Sequence, residues 1–165
     1  MTLLKDTPLG RLLASPLNPG TLLWIGLRPA REAPLLMPQS AMLIAGRGIV
    51  GDRYQSSHNG ARQATLIAAE SLSAIASFLG RSEVAPELLR RNFVTTGINL
   101  VALKGRRFRL GAALLEYSGD CAPCSRMEAA LGPSGYNAVR GHGGITARII
   151  EGGEARVGDK VERVE

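Results

Sequence analysis

Apolar positions in the first fifty residues fall into short runs that turn residues interrupt. Three runs show this pattern: residues 10–14 before Ser15-Pro16, residues 21–27 before Arg28-Pro29, and residues 41–45 before Gly46. Short apolar runs bounded by Gly, Pro, Asn and Ser are typical of strands in an antiparallel β system. The pattern therefore predicts strands in all three places.

The spacing of apolar residues changes in the middle of the chain. Leu72, Ile75, Ala76 and Leu79 recur at i, i+3, i+4 and i+7, and Gly80 follows as a stop signal. This spacing predicts a helix over residues 65–79. A proline can open a second, short helix over residues 86–91. Two further helical segments are predicted over residues 127–131 and 136–139.

Strand-like segments dominate the second half. They are predicted over residues 93–96, 99–103, 107–110, 112–117, 145–150 and 160–164, with a turn at residues 151–153. The order of strands, helix, strands, short helices and strands favours a β-rich fold over alternating βαβ units. We expect a β-barrel or curled sheet with appended helices, formed by residues 1–165 as a single domain.

Composition and charge limit the classes of binding partner that we expect. The net charge is +6 and the pI about 10.0, but the basic residues are dispersed, and there are only three Phe, three Tyr and one Trp. Neither a basic tail nor a base-stacking surface is indicated, so a small phosphorylated anion is favoured and nucleic acid is not expected. Neither a signal peptide nor a run of roughly 18 apolar residues is visible. We expect a cytoplasmic protein with reduced thiols and no membrane partner.

The only two cysteines form the motif Cys121-Ala122-Pro123-Cys124. Four interpretations are open: a redox dithiol, half of a zinc site, two incidental buried cysteines, or a thiolate that serves as soft metal ligand or sulfur acceptor. The chain lacks the βαβ context of a thioredoxin-like motif, and His58 and His142 are not paired as zinc ligands. We expect Cys124 to stand at the start of a helix beside Arg126, where the helix dipole and the guanidinium favour a thiolate, with Cys121 as a resolving thiol.

Two glycine-rich stretches are candidate binding loops. Residues 46–53 contain G-x-G, but no helix signal follows, so a dinucleotide fingerprint is rejected in favour of a tight loop. In that loop Asp52 either caps the backbone or contacts a polar ligand. Residues 140–144 either form a nest of backbone N–H groups for an anion, with Arg140 and His142, or serve as a flexible connector.

The third candidate is the run Arg90-Arg91-Asn92. Adjacent arginines at a helix end are either a solvated face or a clamp for phosphate. Arg62 is added to this group as a candidate. The sequence shows neither a Ser/His/Asp arrangement nor paired carboxylates, so it gives no indication of hydrolytic chemistry.

Several of these segments, in this order, resemble one family. The segments are GRGIVGDR (46–53), RQATLI (62–67), RRNFVTTGINL (90–100), CAPCSR (121–126) and GITARIIEGGEARVGD (144–159). Over residues 20–165 the chain resembles the molybdenum cofactor sulfurase C-terminal (MOSC) domain family.

The resemblance implies a barrel fold with a reactive cysteine at Cys124 that ligates molybdenum of a pyranopterin cofactor or carries sulfur to it. Some relatives reduce N-hydroxylated compounds with the bound cofactor. The family's basic and Gly-rich positions correspond to Arg53, Arg62, Arg90, Arg91 and Asn92. The chain lacks an aminotransferase-like domain, so pyridoxal phosphate would belong to a partner. The expected partners are a cysteine-desulfurase-type sulfur donor or an electron-transfer protein. A non-catalytic interaction or regulatory module is the alternative function, besides the dithiol redox protein.

Overall fold

The computed structural model describes residues 5–164. The strands are β1 (Gly20–Ile25), β2 (Ser40–Ile44), β3 (Gly48–Ile49), β4 (Ala64–Ala68), β5 (Phe93–Thr96), β6 (Arg107–Leu110), β7 (Ala113–Asp120), β8 (Ile145–Glu151), β9 (Gly153–Arg156) and β10 (Lys160–Val164). The helices are α1 (Pro8–Leu13), α2 (Ala69–Phe78), α3 (Ser125–Leu131) and α4 (Gly135–Val139), and there are 3₁₀ turns at Pro86–Leu89 and Leu100–Leu103.

Seven strands close into a barrel in the order β1-β10-β6-β7-β8-β4-β5, and β5 pairs with β1 to complete the circle. All neighbours are antiparallel except β4 and β5, which run parallel because α2 and the first 3₁₀ turn carry the chain across between them. A smaller sheet, β3-β2-β9, lies beside the barrel. The predicted β-rich barrel is therefore confirmed.

Two apolar clusters hold the fold together. Alternate residues of one strand belong to different clusters: Leu66 packs inside the barrel, and its neighbour Ile67 packs outward under the helices. Phe93 and Val94 on β5 divide in the same way. Because side chains alternate across a strand and both faces of β4 are buried, its sequence does not alternate between apolar and polar residues. The outer cluster fixes α2, α3 and α4 against this side of the barrel.

The helix predicted over residues 65–79 is wrong in its first part. Residues up to Ala68 form β4, and α2 begins only at Ala69. A fully buried strand and a buried helix give the same run of apolar residues, so periodicity alone does not separate them. Leu72 and Ile75 do lie on the buried face of α2, and Gly80 ends it with φ +67°.

Four smaller predictions also need correction. The strand predicted at 99–103 is a 3₁₀ turn, because the Asn99 side chain accepts a hydrogen bond from Val101 N and starts a helical turn. Residues 10–14 lie in or at the end of α1, not in a strand, since Thr7 caps a helix that opens at Pro8. The helix at 86–91 is only a 3₁₀ turn that ends before Arg90. The turn predicted at 151–153 gives way at residue 153 to strand β9, which was not predicted.

No helix among residues 5–164 combines the length and apolar character needed to cross a lipid bilayer.

Candidate functional site

A cavity of about 460 Å³ opens where loops from several parts of the chain meet beside β4 and β5. Six arginines line this cavity, which we call the arginine pocket: Arg28, Arg53, Arg62, Arg90, Arg91 and Arg126. Its single carboxylate is Asp52. Within residues 5–164, none of the six arginines forms an ion pair with an acidic side chain. The cavity is therefore strongly cationic and suited to an anion.

Hydrogen bonds between two loops position the first two arginines. Arg28 N donates to Asp52 Oδ1 at 2.8 Å, and Arg53 N donates to Arg28 O at 2.7 Å. The loop of residues 46–53 is tight, as predicted: a side chain at Gly48 would meet Tyr54 O at 2.6 Å. Of the two roles foreseen for Asp52, the structure shows the backbone contact, made at the edge of the arginine pocket.

Arg90 has a strained backbone for its residue type. It lies at φ +61°, in the left-handed region, directly after the 3₁₀ turn. Its pKa is lowered, first by burial and then by the charges of Arg28 and Arg126. Both the strain and the clustering of like charge cost free energy, and a bound anion would offset the repulsion.

Arg91 is 7% exposed and has one unused donor group. Its Nε donates to Gly143 O at 2.8 Å and its Nη1 to Leu89 O at 2.7 Å, whereas Nη2 is buried without a hydrogen-bond partner. Burial is the main cause that lowers the pKa of Arg91. An unsatisfied guanidinium N–H in the wall of a cationic cavity is a donor available to an anionic oxygen.

Asn92 lines the arginine pocket, but its amide is engaged within the protein. Its Oδ1 accepts from the backbone N–H and the hydroxyl of Thr65, and its Nδ2 donates to Gly26 O. These bonds tie β4 to the end of β1. Asn92 therefore fixes the position of its neighbours, and its amide atoms already have protein partners.

The two cysteines differ in environment. Cys121 is buried, and its Sγ accepts a hydrogen bond from Arg62 Nη2 at 3.6 Å. Cys124 is exposed and is the residue immediately before α3, as predicted, but its thiol makes no capping hydrogen bond. Electrostatic interaction with Cys124 opposes the lowering of the pKa of both Arg90 and Arg91, so this thiol lies within range of both guanidinium groups.

Arg140 and His142 lie elsewhere. They line a second cavity of about 740 Å³, which we call the neutral pocket. Its charged residues are two acids and two bases: Glu70, Asp120, Lys104 and Arg140. The structure therefore separates the predicted binding residues into two groups, with Asp52, Arg53, Arg62 and residues 90–92 at the arginine pocket and Arg140 and His142 at the neutral pocket.

A thin wall separates the two cavities. Cys121 and Gly143 line the neutral pocket, and each contacts an arginine that lines the other pocket. Arg62 reaches the sulfur of Cys121, and Arg91 reaches the carbonyl oxygen of Gly143. A side chain at residue 143 would lie 2.1 Å from Cys121 O, so only glycine allows this close approach.

Comparison with known proteins identifies the family of this chain. The profile of the MOSC domain family matches residues 52–162, which include both cysteines and five of the six pocket arginines. The chain belongs to the MOSC domain family. MOSC domains are associated with the molybdenum cofactor. Comparison with curated proteins finds no significant match.

Solved structures show the same fold. The YuaD protein from Bacillus subtilis superposes with a TM-score of 0.77 at 19% identity, covering 90% of this chain and 97% of that one. YiiM from Geobacillus stearothermophilus gives 0.67 at 17% identity, with 88% and 75% covered. YiiM from Escherichia coli gives 0.65 at 20% identity, with 92% and 71% covered.

Sequence reasoning missed two arginines of this MOSC domain's pocket. Arg28 stands before a proline in what looked like a simple turn, and Arg126 was considered only as a neighbour of Cys124. No local pattern brings either residue to Arg90: the backbone bond from Arg53 N to Arg28 O places Arg28, and the start of helix α3 places Arg126. Among residues 5–164 no group of three His, Cys, Asp or Glu side chains is arranged to hold a metal ion.

Proposed function

We propose that this MOSC domain binds the molybdenum–pyranopterin cofactor, with the cofactor's phosphate in the arginine pocket and Cys124 as a soft sulfur ligand or sulfur acceptor. One observation carries the proposal: six arginines without acidic partners surround one cavity, and an exposed thiol lies within electrostatic range of two of them. The family membership supports the same assignment.

The residues present fit such a group. A phosphate accepts several N–H bonds, and Arg91 Nη2 is a buried donor without a partner. Arg90 and Arg126 add charge at the same cavity. A thiolate is a suitable ligand for a soft or high-valent metal centre, and an exposed cysteine reaches a bound molecule where a buried one does not.

The chain's own residues then have distinct tasks. Arg62, Arg90 and Arg126 surround the anion, whereas Arg91 holds the pocket wall through Nε and Nη1 and offers Nη2 to the anion. Cys124 supplies sulfur, while Cys121, held against Arg62, is the second thiol that can resolve an adduct on Cys124. The bound cofactor would supply the two-electron chemistry of molybdenum, which no side chain provides.

Two forms of this function are proposed. In the first, the domain reduces N-hydroxylated compounds to the amine and water, and an electron-transfer partner delivers the electrons. In the second, Cys124 accepts sulfur as a persulfide from a cysteine-desulfurase-type donor and passes it on. Reduction of a hydroxylamine with an artificial reductant supports the first form. A mass increase of one sulfur atom on Cys124, lost in Cys124→Ser, supports the second.

The binding itself is tested by replacing the strained arginine. Arg90→Gly removes a charge at a backbone position that glycine adopts readily, so the variant is expected to fold at least as well as the parent. Pyrophosphate affinity, measured by calorimetry, should fall about 10- to 100-fold, since a hydrogen bond to a charged group contributes about 1.5–3 kcal/mol. Molybdenum and pterin retained after expression in a cofactor-producing host should fall in parallel.

Arg31→Gln is the control, because Arg31 is exposed and lines neither pocket. Its pyrophosphate affinity and cofactor content should match the parent protein. Pyrophosphate binding without any molybdenum or pterin in the parent would overturn the cofactor assignment. Equal affinity in the parent and Arg90→Gly would show that Arg90 does not contact the anion.

A further inference from the structure

The neutral pocket differs from the arginine pocket in a way that indicates another kind of ligand. Its two acids and two bases balance, so it exerts no net attraction on an anion. Apolar residues also line this pocket: Ile98, Leu100, Val101 and Ala122. Two large apolar or aromatic side chains at this pocket remain exposed, Val101 at 59% and Tyr136 at 43%. Exposed apolar surface in a concave cavity is typical of a small-molecule site.

The polar groups around this cavity are held in fixed positions. Tyr136 N donates to Glu128 Oε2, which anchors the start of α4 to α3. Glu70 Oε1 accepts from Thr96 Oγ1 and from Gly97 N, and Asp120 accepts from the Tyr117 hydroxyl. The imidazole of His142 packs against the ring of Phe78 with centroids 5.3 Å apart. The acids therefore have partners within the protein and do not require an incoming cation.

We propose that the neutral pocket is a second binding site, which takes a small, uncharged, partly apolar molecule while an anion occupies the arginine pocket. The cavity is the larger of the two, at about 740 Å³, which is within the range of sites for drug-sized ligands. Cys121 lies in the wall between the two ligands, with Arg62 on the far side of its sulfur. The binding site stands without the proposed cofactor function; only a reaction between the two occupants rests on that function.

A matched pair of fluorescent probes separates the two sites. Phenylnaphthylamine is uncharged and apolar, and anilinonaphthalene sulfonate has the same ring frame with an added anion. We expect the uncharged probe to bind in the neutral pocket, with brighter, blue-shifted emission that pyrophosphate does not reverse. The sulfonated probe should bind in the arginine pocket and be displaced by pyrophosphate.

Ala122→Trp is the test variant, because Ala122 is exposed and lines the neutral pocket, so a larger side chain there fills the cavity. It should weaken binding of phenylnaphthylamine about tenfold, equal to about 1.4 kcal/mol, and leave pyrophosphate binding unchanged. Ala129→Trp on the exposed side of α3 is the control and should change neither.

The outcomes are separable. Equal affinity of phenylnaphthylamine for the parent, Ala122→Trp and Ala129→Trp would overturn the neutral pocket as its site. Displacement of that probe by pyrophosphate would also overturn the proposal, since the two ligands would then share one cavity. Absence of pyrophosphate binding by the parent protein would contradict the proposed cofactor function, whereas normal phenylnaphthylamine binding in that protein would still identify the neutral pocket as a binding site.

Discussion

The arginine pocket and the neutral pocket are neighbours that differ in charge and in hydrogen bonding. The first gathers six arginines around one carboxylate, and the second balances two acids with two bases over a larger volume. The first contains a buried guanidinium N–H without a partner, whereas the acids of the second already accept hydrogen bonds from the protein. A site of like-charged groups with an unused hydrogen-bond donor favours an anionic ligand. A site whose polar groups already have partners selects its ligand by shape and apolar contact.

The difference also shows how one short segment serves two sites. The chain from Cys121 to Cys124 places its buried thiol in the shared wall and its exposed thiol near Arg90 and Arg91. The close approach of residues 121 and 143 keeps this wall thin. Changes in the wall are therefore expected to affect both pockets, while changes in one lining affect only that pocket.

Removal of Arg91 is expected to have the largest effect. Arg91→Met deletes hydrogen bonds to the carbonyl oxygens of Leu89 and Gly143 and leaves both acceptors without this partner. We expect the free energy of unfolding to fall by about 3 kcal/mol, since hydrogen bonds from a charged group contribute about 1.5–3 kcal/mol each and the relief of repulsion from Arg62 returns part of this. Chemical denaturation measures the change, and pyrophosphate affinity should fall as well.

Arg31→Met is the matched control, since it removes an exposed guanidinium outside both pockets. Unchanged stability in Arg91→Met would mean that Arg91 is not a fixed part of the wall. Arg91→Lys should recover little of the stability lost in Arg91→Met, because an ammonium group cannot form the same fork of hydrogen bonds.

Gly143→Ala tests the wall from its other side. The added methyl group would lie 2.1 Å from the backbone oxygen of Cys121 and 3.3 Å from Arg91 Nη2. We expect a loss of about 1–3 kcal/mol in stability, as for other overpacked sites, together with weaker binding in both pockets. Gly119→Ala is the control, because residue 119 lines neither pocket, has a φ outside the left-handed region, and its added methyl group would come no closer than 3.3 Å to Thr146 Oγ1. Equal behaviour of both probes in the parent and Gly143→Ala would show that the pockets do not depend on this contact.

Alkylation of Cys124 gives a smaller effect that is specific to the arginine pocket. Iodoacetate is an anion and iodoacetamide is neutral, so the ratio of their rates reports the local charge independently of thiol ionisation. In Arg90→Gly this ratio should fall about fivefold, because a nearby surface charge contributes on the order of 1 kcal/mol. Arg140→Gln removes a charge from the neutral pocket and should leave the ratio unchanged. A fall of the same size in Arg140→Gln would contradict the electrostatic separation of the arginine pocket from the neutral pocket.

The sequence allowed much of the fold to be predicted. Runs such as residues 107–110 and 160–164 are strands, since turn residues bound them closely and their alternation matches a half-buried sheet. Residues 65–68 were assigned to a helix, because both faces of β4 are buried and its sequence loses alternation. The packing of α2, α3 and α4 outside the barrel explains that burial.

The candidate site was predictable in its parts and not in its grouping. Arg62, Arg90 and Arg91 were singled out, and the structure brings them together at one cavity. Arg140 and His142 were expected at the same ligand and instead line the neutral pocket. Distance along the chain did not reveal this division, because the wall depends on a glycine contact between segments more than twenty residues apart.

Tyr117 provides the smallest expected effect and tests the neutral pocket. Burial, a hydrogen bond to Asp120 and the charge of Asp120 raise the pKa of Tyr117 to about 12. The folded state therefore keeps a proton that the unfolded chain releases near pH 10, so stability is fully present below pH 10 and falls as the pH rises toward 12. Tyr117→Phe should remove this part of the decline, which denaturation at several alkaline pH values would measure.

Asp120→Asn refines the test, because it removes the charge at the neutral pocket and leaves an oxygen that can accept the hydrogen bond. Its alkaline decline should lie between those of the parent and Tyr117→Phe, since burial still raises the pKa of Tyr117. Near neutral pH, Tyr117→Phe should cost only about 1 kcal/mol, the value of one hydrogen bond. Parallel pH curves for the parent and Tyr117→Phe would show that Tyr117 does not hold Asp120. The Asp120 carboxylate would then be available to a cation, and the neutral pocket would resemble a charged site more than an apolar one.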